Sequence, residues 1–343
     1  MKLCGGKLPH TASLWEASRR LAVESEVVMT DQAIARRLPV RRGLADRLNL
    51  SPQARDNVAG FLFISPWLIH FFMLILFAMI SSLGISFLKT DLLTGYKFVG
   101  LRNYQSMFDD ELFWKAMTIT AYYTFTMVPC GTIMALSIAL LLNQDIKGLG
   151  FWRMVYYLPS VVSGVAVAIL WGWVLNPRFG LLNQGLAMIG IPGPRWMYDE
   201  IWAVPGFIMM GLWGAGGAML LYLAGLQGIP TALYEAAKID GANAWHRFWH
   251  VTIPMLTPTI FFNLLMNIIG SFQVFTQSYI MTSGGPNNAT LTMVLYLYRK
   301  GFEDFKFGYA SAIAWALFAI IFVFTIMVVR TSDAWVYYEG KLK

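Results

Sequence analysis

Six long stretches of this sequence contain no Asp, Glu, Lys or Arg, and they limit the chain to very few folds. They run at approximately 59–87, 116–142, 154–175, 203–227, 258–281 and 309–329. About 20 apolar residues in a helix cross the hydrocarbon of a bilayer. A chain of 343 residues that is 57% hydrophobic and 13% charged has too little polar surface to cover a water-soluble globule; soluble domains carry about 25% charged residues. The expectation is an all-α, polytopic membrane protein with six transmembrane helices.

An even number of crossings puts both termini on one side. That side holds residues 1–58, 143–153, 228–257 and 330–343, with 17 of the 26 Lys and Arg. Cytoplasmic flanks are enriched in these residues, so both termini are expected in the cytoplasm. Arg41, Arg42, Arg47 and Arg55, close to the first crossing, carry most weight. The expected organisation is a charged cytoplasmic leader over 1–57, a six-helix transmembrane domain over 58–335 and a short cytoplasmic tail over 336–343. The stretch 14–28 of the leader has helical character. The net charge of +7 follows from the cytoplasmic flanks and does not call for nucleic acid. Cys4 and Cys130 make no disulfide framework, and three residues before Cys4 are too few for a lipoprotein signal.

Two polar or small-residue patterns stand out inside the crossings. In the third, Ser160, Gly164, Ala168 and Gly172 recur every fourth position and fall on one face of an uninterrupted helix. Such a stripe lets another helix approach, within this subunit or across a subunit interface. The fourth has a similar cluster around Gly211 and Gly214–Ala218. In the fifth, Asn263, Asn267, Gln273 and Gln277 need hydrogen-bond partners in hydrocarbon. Asn263, Asn267, Gly270, Val274 and Gln277 are expected near one face. These amides either line the path of a polar, uncharged solute or bond to neighbouring helices. Trp171, Trp173 and Trp213 are either ring-stacking groups or interfacial anchors.

Gradient-driven carriers place ionisable groups within the membrane. Here only His70 is available, which disfavours internal coupling to an ion gradient. The chain has no Gly-x-x-x-x-Gly-Lys-Ser/Thr phosphate loop, and so no ATPase site of its own is expected. His246 and His250 have a zinc-compatible spacing but lack a third ligand nearby, so no metal is expected. Asp109, Asp110 and Glu111 read as a solvated or partner-facing edge. No nucleophile-and-base constellation of a membrane enzyme is present.

The segment 228–257, between the fourth and fifth crossings, reads as a cytoplasmic helix–turn–helix. Pro230 suits a helix start, Gly241 a helix end, and a second short helix is expected over about 244–250, with Pro254 and Pro258 punctuating the approach to the fifth crossing. Glu235-Ala236-Ala237, Gly241 after three more residues, and Val251-x-Ile253-Pro254 beyond it resemble the EAA loop of binding-protein-dependent ABC importer permeases. Val251 and Ile253 stand where that pattern has Ile and Leu. Phe98-Val99-Gly100-Leu101-Arg102-Asn103-Tyr104 and Thr282-Ser283-Gly284-Gly285-Pro286-Asn287-Asn288-Ala289-Thr290, with Tyr298 and Gly308-Tyr309-Ala310-Ser311-Ala312, are similar to the sugar-type branch of that family.

The resemblance implies a type I ABC importer permease fold in a bacterial or archaeal inner membrane. Glu235, Ala236, Ala237, Asp240, Gly241 and Pro254 are then the ATPase-coupling residues. It further implies a cytoplasmic ATPase dimer using ATP and Mg, a second homologous permease subunit and an extracytoplasmic solute-binding protein. The solute class it implies is sugars, oligosaccharides or polyols, phosphorylated ones included. A secondary carrier and a passive channel are the alternatives.

Overall fold

The computed structural model describes residues 51–91 and 95–337. The expected helical stretch of the leader, Cys4, the arginines at 41, 42 and 47, and tail residues 338–343 lie outside them. The described chain belongs to two units, one ending at Phe77 and one beginning at Ala78.

Four continuous helices are long and apolar enough to cross a membrane: Asp56–Ser86, Glu111–Leu142, Ala244–Phe272 and Phe307–Trp335. Two bent pairs supply the other two crossings. Leu149–Val161 and Gly164–Val174 meet at 101°, and Ala203–Trp213 and Gly216–Gln227 at 45°. A short antiparallel hairpin, β1 (Leu88–Asp91) and β2 (Gly95–Phe98), follows the first crossing.

In the first unit, Pro66 sits within a helix. Proline has no N–H for the carbonyl four residues back. That carbonyl belongs to Leu62, and the Ser65 hydroxyl donates to it at 2.8 Å. The same device recurs in the second unit, where Pro258 leaves the Pro254 carbonyl free and the Thr257 hydroxyl donates to it at 2.6 Å. For this reason the prolines do not punctuate the approach to the fifth crossing. The segment expected as a separate helix over 244–250 instead runs through a π-helical stretch, Phe248–Thr252, directly into the fifth crossing. A π stretch accommodates the missing Pro254 N–H without ending the helix.

The third crossing departs from the expectation of one uninterrupted helix. Pro159 lies in its first half, and Val162 (ψ 140°) and Ser163 (ψ 134°) are extended. The Ser160, Gly164, Ala168, Gly172 stripe therefore does not share a face. Ser160 meets Gly217, and Gly164 faces Thr276 of the segment after the fifth crossing. Ala168 is buried, while Gly172 has open space. Close approach comes from the fourth crossing: a methyl group on Gly216 lies 2.1 Å from the Tyr156 carbonyl oxygen.

Three buried clusters hold the second unit, and the Glu111–Leu142 helix contributes to each. Its first turns pack Phe113 and Ala116 on Phe272, Met293 and Ile313. Tyr123 joins Leu175, Trp196 and Phe207. Ala135 and Ala139 pack on Met219, Tyr222 and Leu256. Lipid tails are as apolar as leucine, so close van der Waals packing, not escape from water, drives these contacts.

Gly216→Ala is expected to lower the thermal stability of the purified protein by about 1–3 kcal/mol, the usual cost of overpacking. Gly172→Ala, with nothing within 4 Å of the added carbon, should be neutral or slightly stabilising. Fluorescence-detected size-exclusion after a temperature ramp measures both.

Candidate functional site

The helix Thr231–Ile239 follows Pro230 and carries Glu235, Ala236 and Ala237. Its end is a complete Schellman turn. Gly241 is left-handed at φ 79°, its N–H meets the Lys238 carbonyl at 3.0 Å, and the Ala242 N–H meets the Ala237 carbonyl at 2.9 Å. A left-handed residue is strained unless it lacks a Cβ. Asn243 then caps the next helix, its side chain accepting from the His246 N–H at 2.9 Å. Glu235 and Asp240 are exposed, and among the described residues Glu235 has no ion-pair partner.

Large apolar groups are exposed on the same segment. Ile239 is 87% exposed and Trp245 66%. Trp245 and Trp249 meet edge to face at 5.7 Å. His246 and His250 stack at 5.9 Å, and their Nδ1 atoms contact the Asn243 side-chain oxygen and the His246 carbonyl. Tyr234 ties the first helix to the base of the fifth crossing through the Thr252 hydroxyl at 3.0 Å. Beside that tie a cavity of about 610 Å³ is lined by Asn143, Gln144, Lys238 and Arg247.

The fifth-crossing amides divide into two sets. Asn263 is buried and donates to the Thr259 carbonyl at 3.0 Å, while Asn267 is half-buried one turn on. The helix ends at Phe272, with Gln273 exposed just beyond it. Val274 and Gln277 therefore do not continue the Asn263 face. Beyond the helix end, Thr292 donates its hydroxyl to the Val274 carbonyl at 2.9 Å. Gln277 instead reaches the Tyr123 hydroxyl of the second crossing at 3.3 Å. Trp171 and Trp213 meet edge to face at 6.1 Å beside this group, and among the described residues the buried Trp171 Nε1 has no hydrogen-bond partner. Tyr123 had no distinguishing signal in the sequence.

On the opposite side of the bundle, Asp110 corrects the reading of 109–111 as a solvated or partner-facing edge. It caps the second crossing, accepting from the Leu112 N–H at 2.9 Å. It also accepts hydrogen bonds from Tyr309 at 2.7 Å and from Tyr296. Burial alone raises its pKa, but these tyrosine and backbone donors outweigh it and hold the carboxyl below its ordinary value. Burial and the neighbouring Asp110 push the Tyr296 hydroxyl upward. An acid immediately before an apolar run is an N-cap signal, so the capping role was legible; its tyrosine partners, 186 and 199 residues away, were not.

Up to six apolar helical crossings, with a helix–turn–helix between the fourth and fifth, are the features of a membrane permease component. Residues 127–334 match the family described as binding-protein-dependent transport system inner membrane component, and the chain belongs to that family of ABC transporter permeases. It is 41% identical over 303 residues to the probable ABC transporter permease protein YesP of Bacillus subtilis (strain 168), spanning 87% of this chain and 98% of that one. It is 34% identical over 280 residues to the trehalose/maltose transport system permease protein MalF of Thermococcus litoralis (strain ATCC 51850 / DSM 5473 / JCM 8560 / NS-C), spanning 81% of this chain and 95% of that one. A crystal structure of a bacterial ABC transporter involved in the import of the acidic polysaccharide alginate shares the fold, with a TM-score of 0.72 over 82% of this chain and 97% of that one, at 24% identity.

Because the Asp110 carboxyl is lowered in the folded state, its stabilisation is fully present above about pH 3.8, the ordinary carboxyl value, and disappears as pH falls through the folded value. Asp110→Asn should therefore lower the melting temperature at pH 7, with the gap to wild type narrowing as the buffer is taken below pH 3.8.

Proposed function

We propose that this chain is a permease subunit of an ATP-driven importer for sugars or related polar solutes, with both termini in the cytoplasm. Solute arrives on an extracytoplasmic binding protein and crosses by alternating access between this chain and a second, homologous permease. ATP and Mg are bound by a cytoplasmic ATPase dimer and not by this chain. The sugar class is supported by the names of the relatives and by the motifs at 98–104 and 282–290.

The observation that carries the reading is mechanical. The Glu235 helix is exposed, ends in a rigid turn, is tied through Tyr234 to Thr252, and the helix that follows is continuous with the fifth crossing. Movement of an ATPase seated on Glu235 and the surrounding apolar groups then reaches the membrane without passing through a flexible joint. Ala236 and Ala237 leave room for close seating, Gly241 sets the turn, Asp240 extends the acidic edge, and Pro254 lies where the lever enters the bilayer. Asn263, Asn267, Gln273 and Gln277 are the proposed solute-path amides, Gln277 acting together with Tyr123. Of the third-crossing stripe, Ser160 and Gly164 serve packing within this chain.

The test is ATP-dependent uptake in vesicles containing the co-expressed ATPase and second permease. Glu235→Lys and Gly241→Pro should reach the membrane yet lose ATPase association and uptake. Uptake without any ATPase, unaffected by either change, would establish a carrier or channel instead. In the same vesicles Gln277→Leu should raise the KM for solute several-fold while leaving ATPase association intact.

A further inference from the structure

On the side opposite the coupling loop, a cavity of about 600 Å³ opens where three crossings end. Its walls come from β1, from the Arg102–Phe108 helix before the second crossing, and from residues 300–309 leading into the sixth. The Asn103 side chain fixes this corner, donating to the Ser86 and Leu88 carbonyls at 2.7 and 2.9 Å. The cavity therefore sits at the level where the first, second and sixth helices leave the hydrocarbon.

Its charges are unevenly satisfied. Lys300 is paired with Asp304 at 2.8 Å, and the Asp110 carboxylate is taken by two tyrosine hydroxyls. Lys89, Arg102 and Lys306 remain around the opening, and among the described residues none of them has a carboxylate partner. Asp109 and the ionised Asp110 oppose them. Three cations against two acids leave one net positive charge around the opening, with the Asp110 oxygens already occupied by the tyrosines.

The surroundings identify the occupant. Tyr96 and Phe98 project from the same face of β2, 83% and 74% exposed, and Phe108 is also exposed. Amphipathic and aromatic rings favour the headgroup level of a bilayer, whereas a cationic cluster at that level attracts anionic lipid.

We propose that this cavity is a site for the phosphate of an anionic phospholipid headgroup, held by Lys89, Arg102 and Lys306, with Tyr96, Phe98 and Phe108 resting on the acyl boundary. The site lies in the leaflet opposite the coupling loop. It rests on the membrane placement of the crossings and is independent of the cargo and of the ATPase.

The full chain, purified with its co-expressed subunits in non-ionic detergent, is titrated with phosphatidylglycerol or phosphatidylcholine and bound lipid is read by native mass spectrometry. Wild type should retain phosphatidylglycerol in preference to phosphatidylcholine. Changing Lys89, Arg102 and Lys306 together to Ala should weaken phosphatidylglycerol retention on the order of a hundredfold, from about fivefold per cation, and leave phosphatidylcholine unchanged. The charge-conserving set Lys89→Arg, Arg102→Lys, Lys306→Arg should retain the lipid. Arg178→Ala with Arg195→Ala, removing two exposed cations elsewhere on the same side, should not alter retention. Equal phosphatidylglycerol retention by wild type and the triple Ala variant overturns the proposal. So does displacement of the lipid by millimolar inorganic phosphate, which defines a free-anion site. Loss of solute-binding-protein capture with lipid retention intact likewise overturns it and defines a protein-docking surface.

Discussion

Hydrocarbon offers no water to a backbone carbonyl, and an unpaired one there costs several kcal/mol. Much of this structure follows from how the chain meets that constraint at its prolines. Ser65 and Thr257, each directly before a proline, supply the hydroxyl that the missing N–H cannot. Both helices continue through their prolines. In the third crossing the chain turns extended three residues after Pro159 and bends by 101°, whereas the second crossing passes Pro129 as one helix.

The consequence is clearest between the aqueous loop and the fifth crossing. A Schellman turn at Gly241 and the Asn243 cap fix the angle between two short helices. The second of them does not stop at the membrane surface. Packing of Leu256 within the cluster around Tyr222 anchors the same rod deeper in the bundle. A force applied near Glu235 is thus carried by hydrogen bonds and close-packed side chains, which resist deformation far more than a loop does.

On the other side, charge is managed by pairing within the chain and by the bilayer boundary. Asp110 joins the start of the second crossing, the Met293–Tyr298 helix and the start of the sixth through Tyr296 and Tyr309. The Arg299 guanidinium donates to the Ser283 carbonyl, and Asn287 donates to Glu200 at 2.5 Å. These ties hold together segments far apart in sequence. Lys89, Arg102 and Lys306 are left outside this network, at the same level as the exposed rings of β2.

The sequence by itself determined the apolar crossings, the place of the helix–turn–helix at 231–252 and the chemistry of its first helix, since these depend on local properties: runs without charge, a proline before a helix, a glycine after one, an asparagine at a cap. It also marked the amides as groups needing partners. It did not determine that the third crossing bends, that the 244–250 helix joins the fifth, or that Gln277 turns to Tyr123. Periodicity treats each apolar run as an ideal rod, and so it placed Ser160 with Gly172 and Asn263 with Gln277. Only the tertiary structure decided these points, because each depends on a hydrogen bond or close contact supplied by a distant residue: Thr292 on Val274, Gly216 on Tyr156, Tyr296 and Tyr309 on Asp110.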